Sequence, residues 1–334
     1  MASSLVRFGT YNMLDLFGSD SDAARRHYET VVAVIRSVDP DVLAVQEILA
    51  PDGPTAASRL RQLARDAGLR CEVTGPAGSP GRQAALAVGG HGYHVGLMWR
   101  DDIEAVPGSL RLAGGGDFWH GLAMVTLDVG GVLVRHGSFH ATPFGRGLRA
   151  DQNERLVAAV TRPQATPTLI GADWNTESAD RIPAAGGWEL YEPGDPYAAV
   201  EWFDDLIYQC EWDYDERGRR RHWADRRPGD VLWAGGLHDA AALLRARWQP
   251  TAGHHPEDVY GAHGVLRRID GVRVTLPVAG AVRAHHVLDT ALTKAASDHL
   301  PVTVEYLPTA VGVSAGRPSL PNEDLMGLMS AFWY

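Results

Sequence analysis

Apolar runs in this chain repeatedly stop at residues able to bind metal or move protons. The stops are Asn12, Glu47, His140, Asp173 with Asn175, Asp270, and Asp298 with His299. One acid at a strand end is ordinarily a turn residue, but here the same ending recurs along the whole chain. If these ends converge, Glu47, Asp173, Asp270 and Asp298 lie within a few ångströms of one another. Two like charges ~4 Å apart cost about 4 kcal/mol at an effective dielectric of roughly 20, so such a cluster requires a counter-charge. A hard divalent cation supplies it. An oxygen-rich set of Glu, Asp and Asn selects Mg2+ or Mn2+, with Ca2+ as a further candidate, over zinc. The neighbouring His254 and His255 have no Cys or HExxH-like partner, and they read as loop residues rather than a zinc site.

The elements that must carry these residues are visible in the alternation of apolar runs. Strands are expected at 5–12, 41–48, 95–100, 122–129, 132–140, 166–174, 266–275, 282–288 and 300–306. Helices with one apolar face are expected at 22–38, 55–66 and 147–161, the first stopped by Pro40 and the second by Gly68. Gly130–Gly131 joins two strands as a tight hairpin. Many strands, few helices and a mixture of hairpins and crossovers point to an α+β fold. The expected architecture is a four-layer α/β/β/α sandwich of two packed mixed β-sheets flanked by helices. Residues 1–307 read as a single domain. A long aromatic and basic loop insertion is expected at about 188–262, and residues 308–334 read as a C-terminal linker with a short apolar tail.

Composition bounds the class. The 334 residues include 31 Lys and Arg against 41 Asp and Glu, a formal charge of −10, with 45% hydrophobic residues. That is a folding composition rather than a disordered one. No apolar run approaches the roughly 18–20 residues of a membrane helix, and the first residues lack the basic-then-apolar pattern of a secretory signal. Two cysteines, Cys71 and Cys210, make no disulfide framework, so a reducing, cytoplasmic location is expected. The acidic balance weakly disfavours long nucleic acid. It says nothing against a phosphoester as such, because bound metal makes the local field positive.

Short segments in order along residues 5–307 resemble the endonuclease/exonuclease/phosphatase superfamily, the deoxyribonuclease I-like fold. They are TYN at Thr10–Asn12, VQE at Val45–Glu47, FHATP at Phe139–Pro143, GADWN at Gly171–Asn175, RRID at Arg267–Asp270 and SDHLPV at Ser297–Val302. The resemblance implies a divalent-metal-dependent phosphoesterase in which activated water attacks a phosphodiester or phosphomonoester in line. It implies Glu47 as the main metal ligand with Asn12 close by, and Asp298 binding metal directly or through water. Asp173 would orient or deprotonate the water, and Asn175 would hold the phosphate in its transition state. His299 paired to Asp270 would stabilise or protonate the phosphoryl group. His140 would contact phosphate or act as general acid.

Two departures narrow the branch. Leu14 stands where exonuclease III-like enzymes usually carry Asp, and His140 where they carry Asn. The chain is therefore nearer the deoxyribonuclease, sphingomyelinase and inositol-phosphatase branch. Substrate contacts are expected from the insertion, with Trp212 and Trp223 stacking and Arg219, Arg220 and Arg221 near phosphates. In the alternative, those tryptophans are the small core of a long loop and the arginines an exposed hairpin tip. A small phosphoester is slightly favoured over nucleic acid. The alternatives are a Mg2+-dependent nuclease acting on DNA or RNA, the same scaffold turned to another metal-assisted reaction in specialised metabolism, and a non-catalytic binding protein. The apolar C-terminal tail suggests self-association.

Overall fold

The structure is a computed structural model that describes residues 5–76, 81–162, 165–255 and 257–312. Two mixed sheets pack face to face. The six-stranded sheet runs in the order Val282–Val287, Val302–Tyr306, Val6–Leu16, Val42–Leu49, Tyr93–Trp99, Leu86–Ala87. The seven-stranded sheet runs Leu237–Asp239, Asp270–Thr275, Thr168–Asp173, Val132–His140, Leu122–Val129, Glu104–Ala105, with Arg111–Ala113 also paired to Leu122–Val129.

Each sheet contains one parallel pair joined by a helix, and this places the polar stops. Val6–Leu16 and Val42–Leu49 run parallel, with Asn12 opposite Gln46, through the crossover helix Asp22–Val38. Val132–His140 and Thr168–Asp173 run parallel, with His140 opposite Asp173, through the helix Arg146–Val160. Parallel strands finish at the same edge, so Asn12, Glu47, His140 and Asp173 arrive together. Asp270 begins the strand antiparallel to Thr168–Asp173 and lies directly opposite Asp173.

Local chemistry fixes the crossover helix. Ser21 caps its N-terminus by accepting from the Ala24 N–H at 3.1 Å, and Asp39 closes it in a left-handed conformation just before Pro40. Its apolar face, Val31, Val34, Ile35 and Val38, packs with Leu60 and Leu63 of the helix Gly53–Ala67 on the outer side of the first sheet. Between the sheets lies a core that includes Phe8, Val42, Leu97, Trp99, Val125, Leu127, Leu169, Val274 and Tyr306. Leu156 and Val160 cover the far face of the second sheet with Phe139, Ile170 and Trp174. Each fully buried aliphatic or Phe side chain contributes about 1.5–3 kcal/mol, so this four-layer packing is the main source of stability. Gly171 sits where the sheets approach closest: a Cβ there would meet the Cβ atoms of Thr10 and Ala44 at 2.8 and 3.0 Å.

The segment 188–262, expected as long loops, carries short elements of its own. A hairpin Arg181–Ala184/Gly187–Leu190 leads into it, and it contains the hairpin Cys210–Tyr214/Arg220–Ala224, the helix Arg227–Ala234, and Leu237–Asp239, which joins the second sheet at its edge. These strands are too short, and too mixed in Trp, Arg and Asp, for alternation to register as a pattern. Among the described residues no helix is long and apolar enough to cross a membrane. The apolar ending 325–334, and the self-association expected of it, lie outside the described residues.

Candidate active site

The first strand does not stop at Asn12 but continues to Leu16 through a register shift, with Leu14 and Asp15 in the left-handed region at φ 49° each. That bulge turns Asn12 inward and aims the Asp15 N–H at Glu47. The Asn12 amide donates to Glu47 Oε1 at 3.0 Å and to Asp173 Oδ2 at 3.1 Å, while the Asp15 N–H donates to Glu47 Oε2 at 2.9 Å. Glu47 itself adopts φ 65°, an uncommon conformation for a residue with a side chain, held by neighbours on both carboxylate oxygens.

Asp173 is the hub. Its Oδ2 also lies 3.4 Å from His140 Nε2 and 3.8 Å from His299 Nε2, and its Oδ1 accepts the Asn175 N–H at 2.9 Å. Asn175, at φ 48°, donates its amide to the Ala141 carbonyl at 3.0 Å and thereby ties the two strand ends together. His299 is fixed from behind by a 2.8 Å bond between Nδ1 and Asp270 Oδ2, leaving Nε2 toward Asp173 and Asp298. The backbone around it is held too. Ser297 Oγ donates to the Asn12 carbonyl at 2.8 Å and accepts the His299 N–H, and Thr251 Oγ1 accepts the N–H groups of Ile269 and Asp270.

Electrostatics divide the histidines. Burial opposes charge on His299, but Asp270, Asp298 and Asp173 outweigh it and hold the imidazolium well above the usual histidine range. Burial pushes Asp270 up to about 6 while His299 pulls it back, so at neutral pH the pair is imidazolium and carboxylate. Burial and the nearby His299 push His140 down to about 3, so it is neutral. Burial, reinforced by Asp298, raises Glu47 to about 7.

That raised carboxylate is what a cation would relieve. Glu47 and Asp298 repel one another, and among the described residues Asp270 Oδ1 is buried with no hydrogen-bond partner. One atom each of Asp173, Asp270 and, once its proton is lost, His299 could ligate an ion, all within 4.8 Å of one another. The donor set is mostly hard oxygen and suits Mg2+ or Mn2+.

Above these residues opens a cavity of about 490 Å3. Glu47, His140, Asp173, Asn175, Asp298 and His299 line it, with Asn12 and Asp270 supporting them from beneath. A chain with these strand ends, in this order, on two packed mixed sheets matches the model of the endonuclease/exonuclease/phosphatase family over residues 9–299. The chain belongs to this family.

Its members are mostly hydrolytic phosphoesterases and typically depend on divalent metal. Similar structures include a family protein from Bacteroides thetaiotaomicron, with 15% identity, coverage of 91% of this chain and 98% of that one, and a TM-score of 0.55. A mannosyl-6-phosphatase from the same organism matches with 15% identity, 90% and 98% coverage, and a TM-score of 0.54. A truncated TDP2 from Caenorhabditis elegans matches with 13% identity, 91% and 97% coverage, and a TM-score of 0.52. At these identities the likeness is one of fold. Comparison with curated protein sequences finds no match.

The substrate contacts expected from the insertion are placed elsewhere. Arg219, Arg220, Arg221, Trp212 and Trp223 do not line the cavity. Arg219 pairs with Asp215 at 2.8 Å, Arg221 with Asp213 at 2.7 Å, and Arg220 lies over Trp202 at 4.1 Å. The Trp212 ring is covered by Arg146 at 4.5 Å and meets Trp202 edge-on, while Trp223 remains 39% exposed on the hairpin. Two of the three arginines are thus paired to acids of the same hairpin, and the third lies over an aromatic ring. The loops that do reach the cavity contribute Phe144, Gln209, Glu257, Tyr260 and Arg267 instead.

Sequence reasoning missed His120 and Tyr93, which complete the wall beside His140; the His120 and His140 rings lie 4.2 Å apart. A signal for His120 was available. It precedes a strand expected to pair antiparallel with 132–140, which sets it near the end of its partner, where His140 stands. Fully buried Arg149 was also missed. It donates to the carbonyls of Thr142, Pro143 and Tyr208 and so clamps two of the loops that form the cavity mouth.

Proposed function

We propose that this protein is a divalent-metal-dependent phosphoesterase that hydrolyses a compact phosphomonoester or phosphodiester by in-line attack of water. The observation that carries the reading is Asp173, whose carboxylate meets Asn12, His140, Asn175 and the His299–Asp270 couple at the floor of one cavity. Asp173 holds the attacking water and accepts its proton. His299, kept charged by Asp270, donates to a phosphoryl oxygen as negative charge builds there. Asp270 fixes the ring tautomer by accepting from Nδ1. Neutral His140 is a hydrogen-bonding contact that offers its one ring N–H to phosphate rather than a general acid, because burial disfavours the imidazolium form. Glu47 and Asp298, with Asn12 orienting Glu47, would hold the cation, which when bound neutralises charge on the phosphate.

A compact substrate is supported by the size of the cavity and by the pairing of Arg219 and Arg221 with acids of their own hairpin, away from the cavity. The mannosyl-6-phosphatase among the similar structures is a member of this fold with a small phosphoester as its substrate. The test is turnover of a panel of phosphomonoesters, phosphodiesters, nucleotides and DNA with Mg2+ or Mn2+. Chelation should abolish the activity, and Asp173→Asn should lower kcat by about 10^3 or more with an unchanged melting temperature. Activity that survives either treatment overturns the assignment. Steeply salt-dependent DNA binding would overturn the preference for a compact substrate.

A further inference from the structure

We infer that Asp15 and Glu257, at the rim of the cavity, select a substrate whose single phosphate is carried on an uncharged or ammonium-bearing hydroxylic compound, and reject a carrier with a second anionic group. The inference rests on the phosphoesterase reading above.

Three observations carry it. The first is the balance of fixed charge. Among the described residues Arg267 is the only Arg or Lys lining the cavity, and its guanidinium is bonded to Asp258 at 2.6 Å and lies over the Tyr260 ring at 4.2 Å. It is buried and already neutralised, so no free basic side chain of the lining is available to a second anion. The second is that Asp15 and Glu257 are extra. Glu47, Asp173 and Asp298 belong to the floor, where cation and phosphate compensate one another. Asp15 and Glu257 are exposed, line the same cavity, and among the described residues pair with no Arg or Lys. The Asp15 carboxylate instead interacts with the Tyr93 hydroxyl. The exposed ring of Phe144 adds an aromatic surface at the mouth that suits an apolar or cationic group and offers nothing to an anion.

The third observation is the wall beside His140. His120 lines the cavity at 5% exposure, with its ring 4.2 Å from that of His140. Burial and the adjacent His140 keep the ring neutral, so it supplies no counter-ion for a carboxylate or phosphate.

The experiment uses three six-carbon carriers that differ in charge: glucosamine 6-phosphate, glucose 6-phosphate and 6-phosphogluconate, with sorbitol 6-phosphate as the uncharged open-chain control for the last. Turnover of 4-nitrophenyl phosphate and bis(4-nitrophenyl) phosphate, measured beside them with Mg2+, tests the phosphoesterase reading without a charged carrier. In the wild-type protein, kcat/KM is expected to be at least about tenfold lower for 6-phosphogluconate than for glucose 6-phosphate, with glucosamine 6-phosphate equal or better. In the double variant Asp15→Asn, Glu257→Gln the three should fall within about threefold of one another, mainly through KM for 6-phosphogluconate. Asn is compatible with the left-handed backbone at position 15. Hydrolysis of the nitrophenyl esters with equal use of all three sugars, or discrimination unchanged in the double variant, overturns the inference and leaves the phosphoesterase reading standing. No hydrolysis of any ester overturns both.

Discussion

At the scale of single residues, the site is organised around one carboxylate and one imidazolium, and their supports are as exposed to test as the groups themselves. Asp270→Asn keeps the volume but removes the charge that favours protonated His299. It is expected to lower kcat/KM by about 10–100-fold while leaving the melting temperature within a few degrees. Arg149 is a different case, since its guanidinium is fully buried among carbonyl oxygens. Arg149→Met leaves those acceptors unpaired and should cost about 2–3 kcal/mol by denaturant unfolding, with KM rising as the cavity mouth loosens. The floor residues were legible in the sequence because each ends an apolar run, and a strand end has a definite place in a sheet. Arg149 was not, because a basic residue in a helix gives no sign of being buried. Arg219 and Arg221, expected near phosphates, lie away from this cavity, and Asp215 and Asp213, which pair with them, stand four and eight residues away in the chain.

At the scale of elements, the position of the site depends on how closely the two sheets approach. A polar chain crosses the gap: Thr10 donates to Gln46 at 3.3 Å, Gln46 to Ser138 at 3.1 Å, and Ser138 to the Val45 carbonyl at 3.0 Å. This chain runs one residue before Glu47 and two before His140, so it sets the distance between the metal-side and phosphate-side halves of the site. Gly171 permits the approach two residues before Asp173. Gly171→Ala should therefore cost about 1–3 kcal/mol by overpacking, and it should reduce activity more than that loss of stability alone explains. The parallel pairs, their crossover helices and the Gly130–Gly131 hairpin were readable from periodicity. The order within residues 181–239 was not, since its strands are three to five residues long and its pairing is settled by tertiary contacts rather than by pattern.

At the scale of the whole molecule, acid should be a stronger denaturant than the carboxylates alone would make it. Burial holds His120 at about 2, His136 and His140 at about 3, and His285 at about 4, all below the ordinary value of 6.5. A depressed histidine contributes stability that is complete above about pH 6.5 and is lost as pH falls toward the folded value, because the unfolded chain takes the proton first. Each such group adds a slope of about 1 kcal/mol per pH unit below 6.5. Glu47 and Asp270, which burial raises, take up protons in the folded state over the same range and offset part of this loss, so the melting temperature should drop modestly from pH 7 to pH 5. The paired variant His136→Phe, Tyr306→Phe, which removes the His136–Tyr306 hydrogen bond from both sides, should flatten that drop. Mg2+ acts in the opposite sense. At ten times its dissociation constant it should stabilise the fold by about 1.4 kcal/mol, and the gain should vanish in Glu47→Gln, Asp298→Asn.

The register that sets Asp173 opposite Asp270 also has a kinetic meaning. Between the two acids the chain runs through both hairpins, the helix Arg227–Ala234 and the edge strand Leu237–Asp239 of the same sheet. The two cannot meet until that loop has closed, and closing a long loop is among the slowest steps open to a small protein. Catalytic competence is therefore a late event in folding. After dilution from denaturant, helical signal and Trp99 burial between the sheets should recover in an earlier phase than enzymatic activity.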